Sequence, residues 1–261
     1  MSITSQSFDG KASTWKSEQL TPWARLRRNQ SHFNLSRHIE TSQSLHILDA
    51  GGGDGNDAIR LAEQGHTVTL LDFSEEMLEE ARRTAEIRGI SEKITFQQAD
   101  VIEVDELFPK PEFDVILCHN VVPYVDDIET LLIALWQSLL PTGILSLVGV
   151  NRYSEVYRQA LQQVDLTAAR EAVGTTSTTS KLFDLPIRLY AAEDLLPVLE
   201  ENGYEVLGVY GLVGVCGYIQ NNDLKYEPEF FAQLEALENA MSDQYPYNLV
   251  ARFYQIIVRK V

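Results

Sequence analysis

Ile47-Leu48-Asp49-Ala50-Gly51-Gly52-Gly53-Asp54-Gly55 is the stretch on which the fold turns, because a short apolar strand runs straight into a glycine-rich turn. Without a Cβ at Gly51, Gly53 and Gly55, the backbone can take positive φ and let ligand atoms approach the main chain at van der Waals distance. The glycines read G-x-G-x-G, and Asn56 stands where a dinucleotide fingerprint wants its third glycine. Working outward, a second strand, Thr67-Val68-Thr69-Leu70-Leu71, ends in Asp72, which lies 21 residues past Gly51. An acid at that distance meets a ribose hydroxyl pair, and both a nicotinamide and an adenosyl cofactor would use it.

From Asn56 onward the pattern alternates: helix 56–64, strand 67–71, helix 74–88, strands 94–97 and 113–118, helix 128–139, and strand 144–150 after the turn Pro141-Thr142-Gly143. Alternation of this kind predicts parallel strands joined by crossover helices. Ser74 followed by Glu75 and Glu76 is an N-cap with acids in the first turn, and Gly89 stops the same helix. Ligands of such sheets lie beyond the carboxyl ends of the strands, so Asp49 to Gly55, Asp72, Asp100 and Cys118 to Val121 are expected around one crevice.

The flanks read differently. Residues 1–43 form a polar amphipathic segment in which Trp23, Leu26, Phe33 and Leu35 suit one or two helices, with Pro22 after Thr21 as a helix start. It is expected to be a helical lid over a core at 44–150. A connector at 151–192 holds a helical stretch near 155–164 and the polar run Gly174 to Ser180, a poor core former read as a flap or a plain surface loop over the acceptor site. Residues 193–261 are expected to complete the sheet with a helix at 193–202 and strands at 204–210 and 253–259. The segment Pro228 to Ala240 reads as an amphipathic helix packing through Phe230, Phe231, Leu234 and Leu237.

Composition narrows the function classes. A chain of 261 residues with 44% hydrophobic content can bury one sizeable α/β core. No apolar run is long enough to span a bilayer, and Met1 to Ser7 lacks the blocks of a signal peptide, so a cytoplasmic address without membrane contact is expected. Cys118 and Cys216 have no paired spacing, and the five histidines, at 32, 38, 46, 66 and 119, form no ligand pair, so neither a disulfide framework nor a metal is implied. A net charge of −17 works against DNA and other polyanions. From Phe8 to Glu40, however, Lys11, Lys16, Arg25, Arg27, Arg28 and Arg37 outnumber Asp9, Glu18 and Glu40, a local patch able to greet an anionic substrate.

The glycine turn preceded by Asp49, then Asp72-Phe73-Ser74, Ala99-Asp100-Val101, and Leu140-Pro141-Thr142-Gly143 before Ile144 to Leu147, together resemble the class I S-adenosylmethionine (SAM) dependent methyltransferases. That resemblance implies a Rossmann-like α/β fold with a mostly parallel seven-stranded sheet, helices on both faces, and a late antiparallel strand. It implies that Asp49 and the turn Gly51-Gly52-Gly53 cradle SAM and that Asp72 accepts both ribose hydroxyls. Phe73 and Met77 would flank the adenine, Asp100 would accept its amine, and the Val101 amide would face a ring nitrogen. His119 and Asn120 would sit where the methionine end passes.

The whole chain further resembles the bacterial transferases that methylate the carboxylate of carboxymethoxyuridine at the tRNA wobble position. The likeness is carried by Ile47 to Gly55, Ala62-Glu63-Gln64-Gly65-His66, His119, Leu135-Trp136-Gln137-Ser138-Leu139, Glu235 to Glu238 and Pro246-Tyr247. It implies that Arg27, with Arg25 and Arg28 as competitors, pairs with the carboxylate of the cofactor's methionine. Gly211 to Tyr218 replaces the arginine-bearing segment of that family. Methyl transfer needs chiefly alignment. A carboxylate acceptor needs no general base, while other acceptors would draw on His119, Tyr124, Tyr157 or Tyr190. The expected function is transfer of a methyl group from SAM to a small or anionic acceptor. A tRNA wobble uridine, a SAM-binding protein without turnover, and an NAD-dependent oxidoreductase are the alternatives.

Overall fold

The computed structural model describes residues 12–40, 42–180 and 183–261. Met1 to Ser7, Asp9, Lys11 and the lid boundary near Thr41 lie outside the described residues. In chain order the main elements are α1 (Ala12–Gln19), α2 (Pro22–Ser36), β1 (His46–Ala50), α3 (Asn56–Glu63), β2 (Thr67–Asp72), α4 (Glu75–Arg88), β3 (Ile94–Gln98), α5 (Val104–Leu107), β4 (Phe113–His119), α6 (Ile128–Ser138) and β5 (Leu139–Val150). There follow α7 (Tyr153–Tyr157), α8 (Leu166–Glu171), β6 (Ser177–Ser180), β7 (Leu185–Arg188), α9 (Ala192–Glu201), β8 (Tyr204–Leu212), α10 (Pro228–Met241) and β9 (Phe253–Lys260).

Seven strands form one sheet in the order β3-β2-β1-β4-β5-β9-β8, parallel from β3 to β5, with β9 antiparallel to both β5 and β8. This is the expected Rossmann-like α/β architecture, and the strand order reverses between β1 and β4, where a crevice opens. Alternate residues of each strand face opposite ways. Accordingly Ile47 and Leu117 join a core layer with α2, α3, α4 and α10, while Leu48 and Ile116 join a second layer with α5, α6 and α9. Local chemistry sets the helix ends as expected: Thr21 caps α2 with Pro22 in its first turn, Ser74 Oγ accepts from the Met77 amide, and Gly89 closes α4 at φ +69°.

Several expectations are corrected. Pro141-Thr142-Gly143 lies within β5 as an irregularity, with Thr142 at φ +66° and a register jump between Phe113 and Val115 on the neighbouring strand, because α6 passes into the sheet without a loop. The polar run before Ser180 is partly a strand: Ser177 to Ser180 pair with Leu185 to Arg188 in a separate two-stranded sheet. Backbone pairing at the surface needs no apolar side chains, so composition hid it. Phe33 and Leu237, expected on packing faces, are both 46% exposed, since α2 and α10 bury narrower stripes through Leu26, Leu35, Phe231 and Leu234.

Candidate active site

The glycine turn after β1 is hooked to the end of β2. The Gly51 and Gly52 amides donate to Leu71 O at 2.7 and 3.2 Å, and the Gly53 amide donates to Asp72 Oδ2 at 2.9 Å. Gly51, Gly53 and Gly55 stand at φ +74°, +58° and +73°. A Cβ on Gly51 would lie 2.5 Å from Val121 Cγ2, and one on Gly52 would lie 2.4 Å from the Asp49 carboxyl. Gly53, by contrast, faces open space, its nearest neighbour being Trp15 Nε1 at 3.9 Å. That opening is a cavity of about 190 Å³ at the carboxyl ends of the strands.

Sequence-predicted residues gather around it: Arg27, Asp49, Gly51, Gly52, Gly53, Asp72, Phe73, Met77, Asp100, Val101, His119 and Tyr124 all line the cavity. Asp72 is buried and its second oxygen accepts from the Ser74 amide at 2.9 Å, so it braces the turn and the start of α4 together. Burial raises its carboxyl to about 6. Each carboxylate oxygen retains a lone pair for a further donor. Asp100 also caps locally, its Oδ1 accepting from the Ile102 amide at 3.2 Å, while its own amide donates to Glu103.

The three competing arginines stand in different surroundings. Arg25 lies over the Phe231 ring, 3.6 Å from its centroid, away from the cavity. Arg28 donates to Gln19 Oε1 at 2.6 Å and to Gln19 O at 3.0 Å. Arg27 lies over Phe253 and makes no hydrogen bond or ion pair to a described residue. Its enclosure lowers the guanidinium to about 10.

His119 is held on both ring nitrogens: Nδ1 is 3.0 Å from Asp57 Oδ2, and Nε2 is 3.0 Å from Ser146 Oγ. The other Asp57 oxygen meets His32 Nε2 at 2.9 Å. Burial works to raise Asp57, but the bonds from His119 and His32 outweigh it and hold the carboxyl well below its ordinary value. Burial and the neighbouring Asp57 charge push Asp49 the other way, well above the ordinary range. Asp57 is thus the more acidic member of the pair and Asp49 the less acidic one. An ionised carboxylate only accepts, so His119 donates from Nδ1 and its ring is spoken for by the scaffold.

The tyrosine candidates divide likewise. Tyr157 packs against Tyr218, and Tyr190 lies beside Asn151; neither lines the cavity. Tyr124 does, and burial raises its phenol, which works against its serving as a base. Two contributors, Trp15 and Asp57, had no signal in the sequence, and a third, Asn120, was expected only by its place beside His119. Trp15 donates from Nε1 to Asp54 Oδ1 at 3.0 Å and stacks on Phe183 at 5.8 Å between ring centroids. Asn120 has φ +61°, and its buried Oδ1 has no protein partner among the described residues. Asp57 supplies the anchor of the histidine pair. All come from loops and helices far apart in the chain.

A methyltransferase-domain family model matches residues 47–143. A tRNA 5-carboxymethoxyuridine methyltransferase of Escherichia coli is 30% identical over 84% of this chain and 81% of its own length. The chain belongs to the SAM-dependent methyltransferases. A ubiquinone biosynthesis O-methyltransferase of Rickettsia canadensis is 31% identical over 47% of this methyltransferase and 50% of its own length. Among solved structures, a SAM-dependent methyltransferase from Thermotoga maritima aligns with TM-score 0.65 at 17% identity, covering 98% of this chain and 99% of that one. One from Mesorhizobium loti aligns with TM-score 0.59 at 20% identity, covering 87% and 96%. At those identities the likeness is one of fold. SAM is the cofactor of this methyltransferase, and the nicotinamide alternative lapses. No helix among the described residues is long and apolar enough to cross a membrane.

Proposed function

We propose that this methyltransferase binds SAM in the crevice beyond β1, β2 and β4 and passes its methyl group to a small or anionic acceptor entering from a second, adjoining cavity. The observation that carries the reading is the meeting of two cavities. The first holds the glycine turn and Asp72; the second, of about 690 Å³, shares with it Trp15, Gln19, Arg27, Asn120, Tyr124 and Phe183. The first cavity's chemistry suits the cofactor: a turn that no Cβ could enter at Gly51, a buried carboxylate with acceptor capacity, and an unpartnered amide oxygen on Asn120.

In this reading Gly51, Gly52 and Gly53 let the cofactor approach the backbone, with Asp49 behind the turn. Asp72 accepts from the ribose hydroxyls, Phe73 and Met77 wall the adenine, and Asp100 and Val101 read its edge. Arg27 pairs with the methionine carboxylate, and Asn120 Oδ1 accepts from the ammonium. His119 acts through the scaffold, fixing Asp57 and Ser146. When bound, SAM would supply an electrophilic methyl on a positively charged sulfur, and an acceptor lone pair aligned with it would take the methyl as the sulfur keeps the electron pair of the bond it loses. A carboxylate acceptor releases no proton, which suits a site whose histidine is tied and whose Tyr124 is held protonated. We assign residues 14–40 and the described parts of the connector, 151–180 and 183–192, to closure over the crevice, supported by the stacking of Trp15 on Phe183 and the edge contact of Phe183 with Tyr124.

A second reading is favoured by the 30% identity over 84% of the chain to the Escherichia coli tRNA enzyme. In it the acceptor is carboxymethoxyuridine in tRNA, and the enzyme is cytoplasmic. Calorimetry with SAM and its demethylated product, on wild type and Asp72→Ala, tests the cofactor site. Micromolar binding lost in the variant supports it; absence of binding to wild type overturns it. Transfer of labelled methyl to bulk tRNA then separates the two acceptor readings.

A further inference from the structure

The second cavity carries charge that methyl donation does not use. Its wall holds four cations, Arg27, Arg158, Lys225 and Arg252, against two carboxylates, Glu18 and Glu155, in a chain of net charge −17. Arg27 stands where the cavities meet, whereas Arg158, Lys225 and Arg252 line the second cavity alone. A cationic pocket in an acidic molecule focuses field on anions.

These cations are held in place. Beyond α7 the helix widens into a π-turn from Arg158 to Gln162, a distortion that is frequent at functional sites. Glu155, only 3% exposed, accepts from Arg158 Nε at 2.9 Å and again from Arg158 Nη2, and from Gln159 Nε2 at 2.9 Å. Arg252 Nη1 approaches Glu155 Oε2 at 3.6 Å and donates to Ser154 Oγ at 2.9 Å. One buried carboxylate therefore serves two guanidinium groups and leaves a positive charge uncompensated. Lys225 Nζ donates to the neutral Asn222 Oδ1 at 2.8 Å and lies 5.7 Å from the centroid of the Trp23 ring. Burial disfavours the charge on both Arg252 and Lys225, a penalty that an entering anion would relieve. Trp23, Tyr218 and Phe253 add flat apolar surface to the same wall.

We propose that Arg252 and Lys225 form an anion subsite for the methyl acceptor, which joins a planar ring to a carboxylate or phosphate, and that the anion held there is a different group from the one methylated. The separation follows from placement: transfer has to occur where the cavities meet, near Arg27, Asn120 and Tyr124, while these cations lie in the second cavity only. The inference rests on the first cavity being the cofactor site. A volume of about 690 Å³ accommodates one such unit of roughly mononucleotide size.

The test titrates the full chain, saturated with S-adenosylhomocysteine, with benzoate, phenyl phosphate and neutral benzamide by calorimetry. At least one anion should bind about tenfold tighter than benzamide. A preference for phenyl phosphate indicates a nucleotide-type acceptor, and one for benzoate a carboxylic acid. The preference should vanish in Arg252→Met, persist in Arg252→Lys, and increase in Glu155→Gln, which frees Arg158. If Arg252→Met does not fold, Lys225→Met carries the test through a partial loss of preference. Equal binding of benzoate, phenyl phosphate and benzamide to wild type, or a preference unchanged in the folded methionine variants, overturns the subsite. Failure of S-adenosylhomocysteine to bind overturns the cofactor reading instead, and the acceptor role with it.

Discussion

Gly51 and Gly53 share a left-handed backbone but differ in what surrounds them, and the difference separates folding from binding. An alanine at Gly51 meets Val121 Cγ2 at 2.5 Å as well as the penalty of φ +74°. Backbone strain of about 1–2 kcal/mol and overpacking of about 1–3 kcal/mol should lower the melting temperature sharply. Gly53→Ala meets only Trp15 at 3.9 Å, so its stability should change by about 1 kcal/mol while SAM affinity drops tenfold or more. Thermal melts alongside calorimetry distinguish the two. Asp72 makes a pH prediction. Its folded carboxyl, near 6, lies above the ordinary value, so ionisation removes stability as pH rises from the unfolded value through that point. Ribose hydroxyls would give the charged form its missing donors, so SAM affinity should fall about tenfold per pH unit once the pH drops below the folded value. Calorimetry between pH 5 and 8 checks this, and Asp72→Asn should bind weakly with a flat profile.

The elements around the crevice are joined by a buried polar chain. Asn34 on α2 donates to Gln255 on β9 at 3.0 Å, and Gln255 donates to Ser146 on β5 and to Ser31 O, each at 3.0 Å. Ser146 meets His119 at the end of β4, and Asp57 at the start of α3 closes the chain to His32 on α2. Asp57→Ala strands both histidines and should cost roughly 3–5 kcal/mol in denaturant unfolding, as for other broken buried pairs. Because the folded value of Asp57 is depressed, its stabilisation is complete above the unfolded carboxyl value and is lost as pH falls through the lower folded one. Helix α1 is tied more lightly, through Trp15 to Asp54 and Phe183. Trp15→Ala should speed SAM dissociation and leave global stability within about 1 kcal/mol, a split that stopped-flow binding and melting would show.

For the whole molecule, the −17 charge and the confined cations set how an acceptor is felt. If tRNA is methylated and three cavity cations engage phosphates, raising salt from 50 to 200 mM should weaken its binding about 20-fold, using a single-strand slope of roughly −0.7 per contact. A broad basic face would give a far steeper loss, and a small acid with one anion a loss of only a few fold. Michaelis constants measured across that range read the difference.

Much of this was legible in the chain. Glycine placement, an acid ending β2 and the alternation of apolar runs each report local geometry, and local geometry fixed the parallel core, the crevice and the strand-end residues of its first cavity, though not Trp15, Asp57 or Phe183. The match was poorer where long-range pairing decided. Ser177 to Ser180 form a strand because Leu185 to Arg188 lie alongside, not because their side chains are apolar. Likewise His119 reads in sequence as a possible base, and only folding brings Asp57 and Ser146 to its two nitrogens. The second cavity is the clearest case. Arg158 and Lys225 lie on separate local turns and Arg252 near the last strand, so no spacing links them. Their charges combine because α7, the segment after β8 and the approach to β9 converge beside the crevice. Sequence by itself determined the fold and the cofactor turn, since both depend on near neighbours; tertiary structure decided which cations, rings and buried acids act together, since Coulomb and packing forces depend on distance in space.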